Sequence, residues 1–200
     1  MGTITSAIDL VKSPVSYVTA NKDKPATVRD IMLNYVVVLA AIPFVATLIG
    51  DLWYYSVFAL FGFVGSYVAF AFVAAILIYI LDVVAVYVIA IVIRMLAPTF
   101  NSKVDEIMSL KLAAYIFTPV FLIGALDIIP PLGFLGFLGA LYGLYILYLA
   151  LPIMLNTPKD KVVTYVIGVV VATIIVYAII GVIIGLITAA IFVASFGYFF

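Results

Sequence analysis

The sequence predicts an all-α fold, a polytopic membrane helix bundle with five transmembrane helices, a cytoplasmic N-terminus and an external C-terminus. Hydrophobic residues make up 68% of the 200 residues and charged residues only 9%, with a mean hydropathy of +1.43. Soluble domains contain about 25% charged residues. The basic residues precede the first apolar run, follow the second or separate the last two, as expected for segments retained on the cytoplasmic side. These residues are Lys12, Lys22, Lys24 and Arg29, then Arg94, Lys103 and Lys111, then Lys159 and Lys161.

Residues 1–30 form a cytoplasmic segment whose apolar residues recur at steps of four and three, the pattern of one helix face. They are Ile4, Ile8, Val11, Val15 and Val18. We predict an amphipathic helix in the membrane interface, bent or restarted at Pro14, since proline interrupts helices. Four basic side chains are predicted to contact anionic head groups: Lys12, Lys22, Lys24 and Arg29. A solvated tail is the alternative.

Residues 31–190 form the membrane domain, and residues 191–200 form an aromatic C-terminal tail. We number the predicted spans in chain order, with each about 20 residues long, as a bilayer requires. The predicted bounds are about Val28–Ile49, Tyr67–Arg94, Leu110–Ile128, Phe134–Met154 and Val162–Leu186. The stretch 58–93 is read as one crossing with an outer lead-in through Gly62 and Gly65, because a second crossing would place the following basic residues outside.

Local signals support the ends of these spans. Thr27 and Asp30 have the spacing of a capping box at the start of span 1, which Pro43 is expected to kink. Outside, Asp51, Trp53, Tyr54 and Tyr55 form an interfacial belt. Span 3 is expected to bend at Pro119 and to end in the turn 127–133. Thr157 is predicted to cap span 5, with Pro158 at its first helical position.

Asp82 is the main candidate site residue. It precedes Arg94 by 12 residues, about 18 Å of helix, and so lies near the bilayer midplane. A carboxylate there is costly unless it is neutral, paired or in contact with water or a cation. We expect either a structural hydrogen bond or an ion or proton path. The tyrosines of span 4 could join it in a polar cavity or serve in packing: Tyr142, Tyr145 and Tyr148.

Two pairs of glycines have the spacing of close helix contacts, Gly139 with Gly143 and Gly181 with Gly185. We assign both pairs to packing within the bundle, with dimerisation through span 5 as the alternative.

Catalysis is not predicted, since the chain contains no His and no Cys. Asp82 and Asp127 could be an aspartyl pair, but helix rise separates them by about 15 Å in depth, too far to share a proton. The sequence predicts no metal and no cofactor. It lacks a phosphate-binding Gly-rich loop with Lys, and its basic clusters suit lipid head groups better than nucleic acid.

The second half of the chain resembles the Yip family, named for its interaction with Ypt/Rab GTPases. The resemblance covers about residues 5–190 and includes the run Lys111–Tyr115, Met154 and Tyr165. The family-motif positions are Pro119, Pro130, Tyr142, Gly143, Pro158 and Lys161. It implies a noncatalytic protein that organises membranes or partner proteins, as eukaryotic members do in vesicle traffic, often as hetero-oligomers.

The N-terminal region of about 30 residues is short for this family, which argues against GTPase binding. It favours a prokaryotic type of member in the plasma membrane. The predicted partners are the lipid bilayer and other membrane proteins, in homo- or hetero-oligomers. Two alternatives stay open. One is a small channel or transporter with Asp82 in its path, and the other is a lipid-interacting protein that shapes membranes through its N-terminal helix and aromatic tail.

Overall fold

Helices make up nearly all of the described chain. The computed structural model describes residues 2–56 and 64–196, except for the side chains of 54, 55, 64–70 and 191–196. The α-helices are α1 (Thr3–Lys12), α2 (Pro14–Asn21), α3 (Val28–Ile31), α4 (Val37–Ser56), α5 (Val64–Leu96), α6 (Glu106–Ile123), α7 (Gly136–Met154) and α8 (Val162–Phe196). A π-helical stretch, Met32–Val36, joins α3 to α4, and 3-10 segments occupy Ala97–Phe100, Gly124–Ile128 and Pro130–Leu135.

Five of these helical stretches are long and apolar enough to cross a membrane, as predicted. In chain order the spans are Val28–Trp53, Ala71–Phe100, Glu106–Ile128, Pro130–Met154 and Val162–Ala190. Span 1 begins at the predicted capping box. The Thr27 hydroxyl accepts from the Asp30 N–H (3.1 Å), and the Asp30 carboxylate accepts from the Thr27 N–H (3.1 Å).

The two ends of the bundle carry different charges. We call the end with Arg29, Arg94 and Lys161 the basic end, and the end with Asp51 and Asp127 the acidic end. Spans 1, 3 and 5 start at the basic end and spans 2 and 4 finish there. Arg94 lies 4.0 Å from the Glu106 carboxylate at this end. The alternation agrees with the charge pattern from which the topology was predicted.

Span 3 is the central helix, because α4, α5 and α7 all pack against α6 and most of its side chains are buried. It starts four residues before the predicted Leu110. The Asp105 carboxylate caps α6 by accepting from the Met108 N–H (2.7 Å), and Glu106 suits the positive helix end. Because these interactions stabilise the first turn, the helix begins there even though the residues of that turn are polar.

The two glycine pairs have different roles. A Cβ on Gly139 would lie 2.9 Å from the Cα of Val120, and a Cβ on Gly143 would collide with the Ile116 carbonyl oxygen. This pair therefore lets α7 approach α6, as predicted. Gly181 and Gly185 face open space, with no heavy atom of the described chain within 4 Å of an added Cβ. The prediction that this second pair packs within the bundle is wrong.

The start of span 5 also differs from the prediction. Thr157 does not cap it, because its hydroxyl is buried and bonds the Ser102 hydroxyl (2.8 Å) of the preceding connection at the basic end. Residues 158–161 form a turn, and α8 begins at Val162. A long-range hydroxyl pair thus replaces the local cap. The helix continues to Phe196, so the backbone of the predicted tail is helical that far.

Some predictions fall outside the described residues. The lead-in at Gly62 and residues 197–200 of the tail are among them, as are the side chains of Tyr54 and Tyr55 in the aromatic belt. Trp53, the described aromatic of that belt, is strongly exposed.

Candidate functional site

A cavity of about 640 Å³ lies among all five spans. Small residues and aromatic rings line this cavity together. It remains open because the small side chains are too short to fill the space between the helices. The small lining residues are Ala40, Ala75, Gly124, Gly133, Gly136 and Ala140, and the aromatic ones are Phe44, Tyr79, Phe117, Phe121, Phe137 and Tyr177. A volume of this size is typical of pockets for small organic ligands.

Asp82 of span 2 lines this cavity, half-buried, and its carboxylate accepts a hydrogen bond from the hydroxyl of Tyr177 on span 5 (3.2 Å). Thr173 of span 5 also lines the cavity, and its hydroxyl donates to the carbonyl of Val169 (2.8 Å). Asp127 contributes a second carboxylate at the acidic end. The two carboxylates therefore face one apolar space from different depths.

Between Asp82 and the basic end, the interior of the bundle is tightly packed. Toward the basic end, α5 buries several apolar side chains, of which Val86, Ile89 and Ile93 are the largest, each fully buried. Tyr165 of α8 stacks with Phe100 (4.7 Å between ring centroids), which closes the same region. Asp82 thus faces a cavity that ends at an apolar plug in the basic half.

The cavity opens sideways between spans 4 and 5. Its most exposed large lining side chains are Phe137 (65%), Ile174 (63%) and Leu141 (46%), which belong to these two helices. Because the exposed surface of a spanning helix meets lipid, this mouth faces the hydrocarbon region of a bilayer. Ligands would therefore enter from the membrane.

The structure does not bring the tyrosines of span 4 to Asp82. The Tyr142 hydroxyl donates to the carbonyl of Val11 in α1 (2.6 Å), whereas Tyr145 and Tyr148 are exposed on the bundle surface. The Tyr142 and Tyr145 rings contact each other (5.6 Å between centroids), and the cavity is lined by other residues of the same helix, including Leu141 and Leu144. Tyr177, which does meet Asp82, is 95 residues away in sequence, and no local pattern marks that pairing.

The N-terminal segment is the second candidate site, and it is not a single interfacial helix. As expected, Pro14 restarts the helix, so α1 and α2 are separate helices. Ala7 and Leu10 of α1 and Val18 of α2 are buried against the bundle. The predicted apolar row is therefore split. Val18 faces the protein, whereas Ile4, Ile8 and Val15 remain exposed.

Lys111 of α6 holds this segment in place. Its side chain is only 6% exposed, and the ammonium donates to the carbonyls of Asn21 (3.2 Å), Lys22 (3.0 Å) and Lys24 (2.5 Å). These carbonyls lie at and just beyond the end of α2, where helix carbonyls lack intrahelical partners and favour a cation. One local feature of the sequence indicates this burial, since Lys111 stands within an apolar run.

The predicted head-group residues occupy different positions. Lys12, Lys24 and Arg29 are exposed, and their contact with head groups stays a prediction. Lys22 is half-buried, and its ammonium donates to the carbonyl of Ile153 near the end of α7 (3.4 Å). Lys22 therefore also attaches the N-terminal segment to the basic end.

The family-motif positions serve packing and turns. Pro119 and Gly143 lie at the contact of α6 with α7, and Pro130 begins the 3-10 segment before α7. Pro158 accepts a backbone hydrogen bond from Lys161 (2.9 Å), which closes the turn before α8. Tyr142, the remaining family-motif position, donates a hydrogen bond to the Val11 carbonyl.

Comparison with known proteins gave one family match. The model of the Yip1 domain matches residues 8–181, which include the first four spans, most of the fifth and most of the N-terminal segment. No curated protein and no solved structure shows significant similarity to the chain. The match covers far more than half of the sequence, and the five-span bundle fits it. The chain is therefore a multi-pass membrane protein that belongs to the Yip family.

Proposed function

We propose that this protein is a noncatalytic organiser of its membrane, and that it acts by widening one half of its transmembrane bundle. The observation that carries the proposal is the position of α1 and α2. The carbonyl of Val11 meets Tyr142, which lies 12 residues before Met154, or about 18 Å along α7. The Thr3 hydroxyl bonds the Asn34 carbonyl of span 1 (2.7 Å). The segment thus extends from the basic end to about the middle of a hydrocarbon region that is about 30 Å thick.

This placement makes the bundle asymmetric across the bilayer. In the part of the chain that the structure describes, seven helices share the basic half, where α1 and α2 pack on spans 3 and 4, while five spans around a cavity form the acidic half. A protein that displaces more lipid in one leaflet favours curvature that expands that leaflet. With the basic end in the cytoplasm, as the charge pattern predicts, the membrane would bulge toward the cytoplasm.

The exposed apolar row keeps the segment in the leaflet. Ile4 (53%), Ile8 (39%) and Val15 (47%) present aliphatic surface beside the membrane domain. Covering such half-exposed side chains with lipid contributes about 1 kcal/mol each. The lipid bilayer is the first partner under this proposal, and copies of the chain or other membrane proteins would gather where the curvature suits them. The plasma membrane of a prokaryote is the location we propose.

Reconstitution into vesicles tests the proposal. The double variant Ile4→Ser and Ile8→Ser should give larger vesicles than the unmodified protein at the same protein-to-lipid ratio, measured by electron cryomicroscopy. Val163→Ser with Ile167→Ser is the matched control, because these two residues of span 5 have the same spacing, are each 56% exposed and lie outside the N-terminal segment. Equal vesicle diameters for all three proteins would contradict the proposal.

A further inference from the structure

The lateral cavity has the chemistry of a binding site for a cation with an apolar body. Two carboxylates, of Asp82 and Asp127, line it, and no Lys or Arg stands among its described lining residues. Only one hydrogen-bond donor within the described chain, the Tyr177 hydroxyl, reaches Asp82. A carboxylate can accept about four hydrogen bonds, so Asp82 keeps most of its capacity toward the cavity.

The aromatic lining supports the same class of ligand. Rings contributed by every span surround the space, and an aromatic face attracts a cation within about 6 Å of its centre. Phe44 and Tyr79 lie 5.2 Å apart between ring centroids, and Phe117 and Tyr177 lie 6.3 Å apart, so two pairs of neighbouring rings belong to the lining. An anion would meet two carboxylates here, and a neutral apolar molecule would leave Asp82 without a counter-charge.

We propose that this cavity binds a lipophilic organic cation that enters from the bilayer between spans 4 and 5. The cationic centre lies against Asp82, and the apolar substituents fill the space between the aromatic rings. A charge inside the membrane is favourable only when an opposite charge and polarisable groups replace its hydration, and both are present at this position. Asp127 attracts the cation toward the acidic end of the same space.

A pair of probes with nearly the same shape and opposite charge tests the charge selectivity. Tetraphenylphosphonium and tetraphenylborate would each be titrated into the protein in phosphatidylglycerol nanodiscs, with empty nanodiscs as the background. We expect saturable binding of the phosphonium only. Asp82→Asn should weaken its binding at least tenfold, whereas Asp160→Asn, which removes an exposed carboxylate outside the cavity, should leave it unchanged.

A second variant tests the location without changing charge. Gly136 lines the cavity, and a Cβ added there meets no heavy atom of the described chain within 4 Å, so we expect the side chain of Gly136→Leu to occupy part of the space. It should abolish phosphonium binding. Gly181→Leu is the matched control, since this glycine is equally unobstructed and lies outside the cavity. Equal affinities for wild type, Asp82→Asn and Gly136→Leu would overturn the proposal, as would equal saturable binding of the two probes.

The same experiment separates two sources of the cation. If adding phosphatidylethanolamine to the nanodiscs lowers phosphonium affinity in wild type but not the residual binding of Asp82→Asn, a lipid ammonium group is a natural occupant. If it has no effect, the natural occupant is a free lipophilic cation. Both results support the cation site, because both require Asp82-dependent binding of the phosphonium.

Discussion

Replacing Lys111 with Met should release the N-terminal segment from the bundle. The methionine keeps an apolar stem of similar length but removes the ammonium that donates to the carbonyls of Asn21, Lys22 and Lys24. Hydrogen bonds to a charged group contribute about 1.5–3 kcal/mol each. Once α2 detaches, water bonds these carbonyls and offsets part of this contribution. We therefore expect the free energy needed to detach the segment to fall by about 2–4 kcal/mol in total.

Thiol labelling measures this loss, because the chain has no Cys of its own. Val18 is 1% exposed, so a Val18→Cys variant reacts with a maleimide only when α2 lifts from the bundle. When reclosing is faster than labelling, the rate follows the open fraction. A change of 2–4 kcal/mol then corresponds to labelling that is about 30- to 700-fold faster.

The control for this prediction is Lys103→Met, which removes an equal charge from an exposed side chain at the same end. It should leave the labelling rate of the Val18→Cys variant within twofold. If Lys111→Met also left that rate unchanged, the carbonyl contacts would not hold the N-terminal segment on the bundle. The asymmetric bundle on which the proposed function depends would then need another stabilising contact.

Two further predictions concern the packing of span 4. Gly143→Ala should destabilise the protein by about 2–4 kcal/mol, because its Cβ would meet the carbonyl of Ile116, whereas Gly181→Ala should be neutral or slightly stabilising. Thermal unfolding in detergent compares the two variants, and equal melting temperatures would refute the close contact. Tyr142→Phe should leave the Val11 carbonyl without its donor and cost about 1 kcal/mol, seen as faster hydrogen exchange in α1 with little change in α8.

The features that the sequence predicts well depend on local chemistry. The number and order of spans follow from hydropathy and length, and the capping box at Thr27 and Asp30 involves residues three positions apart. The packing role of Gly139 and Gly143 is also predicted correctly, because close contacts between helices need small residues at this spacing. Each of these signals is complete within one helix or its cap.

The features that the sequence does not predict depend on which helices become neighbours. Tyr177 reaches Asp82 only because spans 2 and 5 pack together, and Thr157 leaves its capping role because Ser102 lies opposite. Lys111 shows the same limit in another form. Its charge correctly indicates the basic end, but its partners are backbone carbonyls of a segment about 90 residues earlier. No residue type marks a carbonyl as a ligand.

The N-terminal segment and the cavity have a common origin in the packing around span 3. Spans 1 and 4 both pack on this central helix. Lys111 and Tyr115 of this helix contact the N-terminal segment. Phe117, Val120 and Gly124 lie on the opposite face of the same helix and line the cavity. The N-terminal segment therefore covers one face of span 3, while the small residues around its other face leave the space in which a ligand can bind.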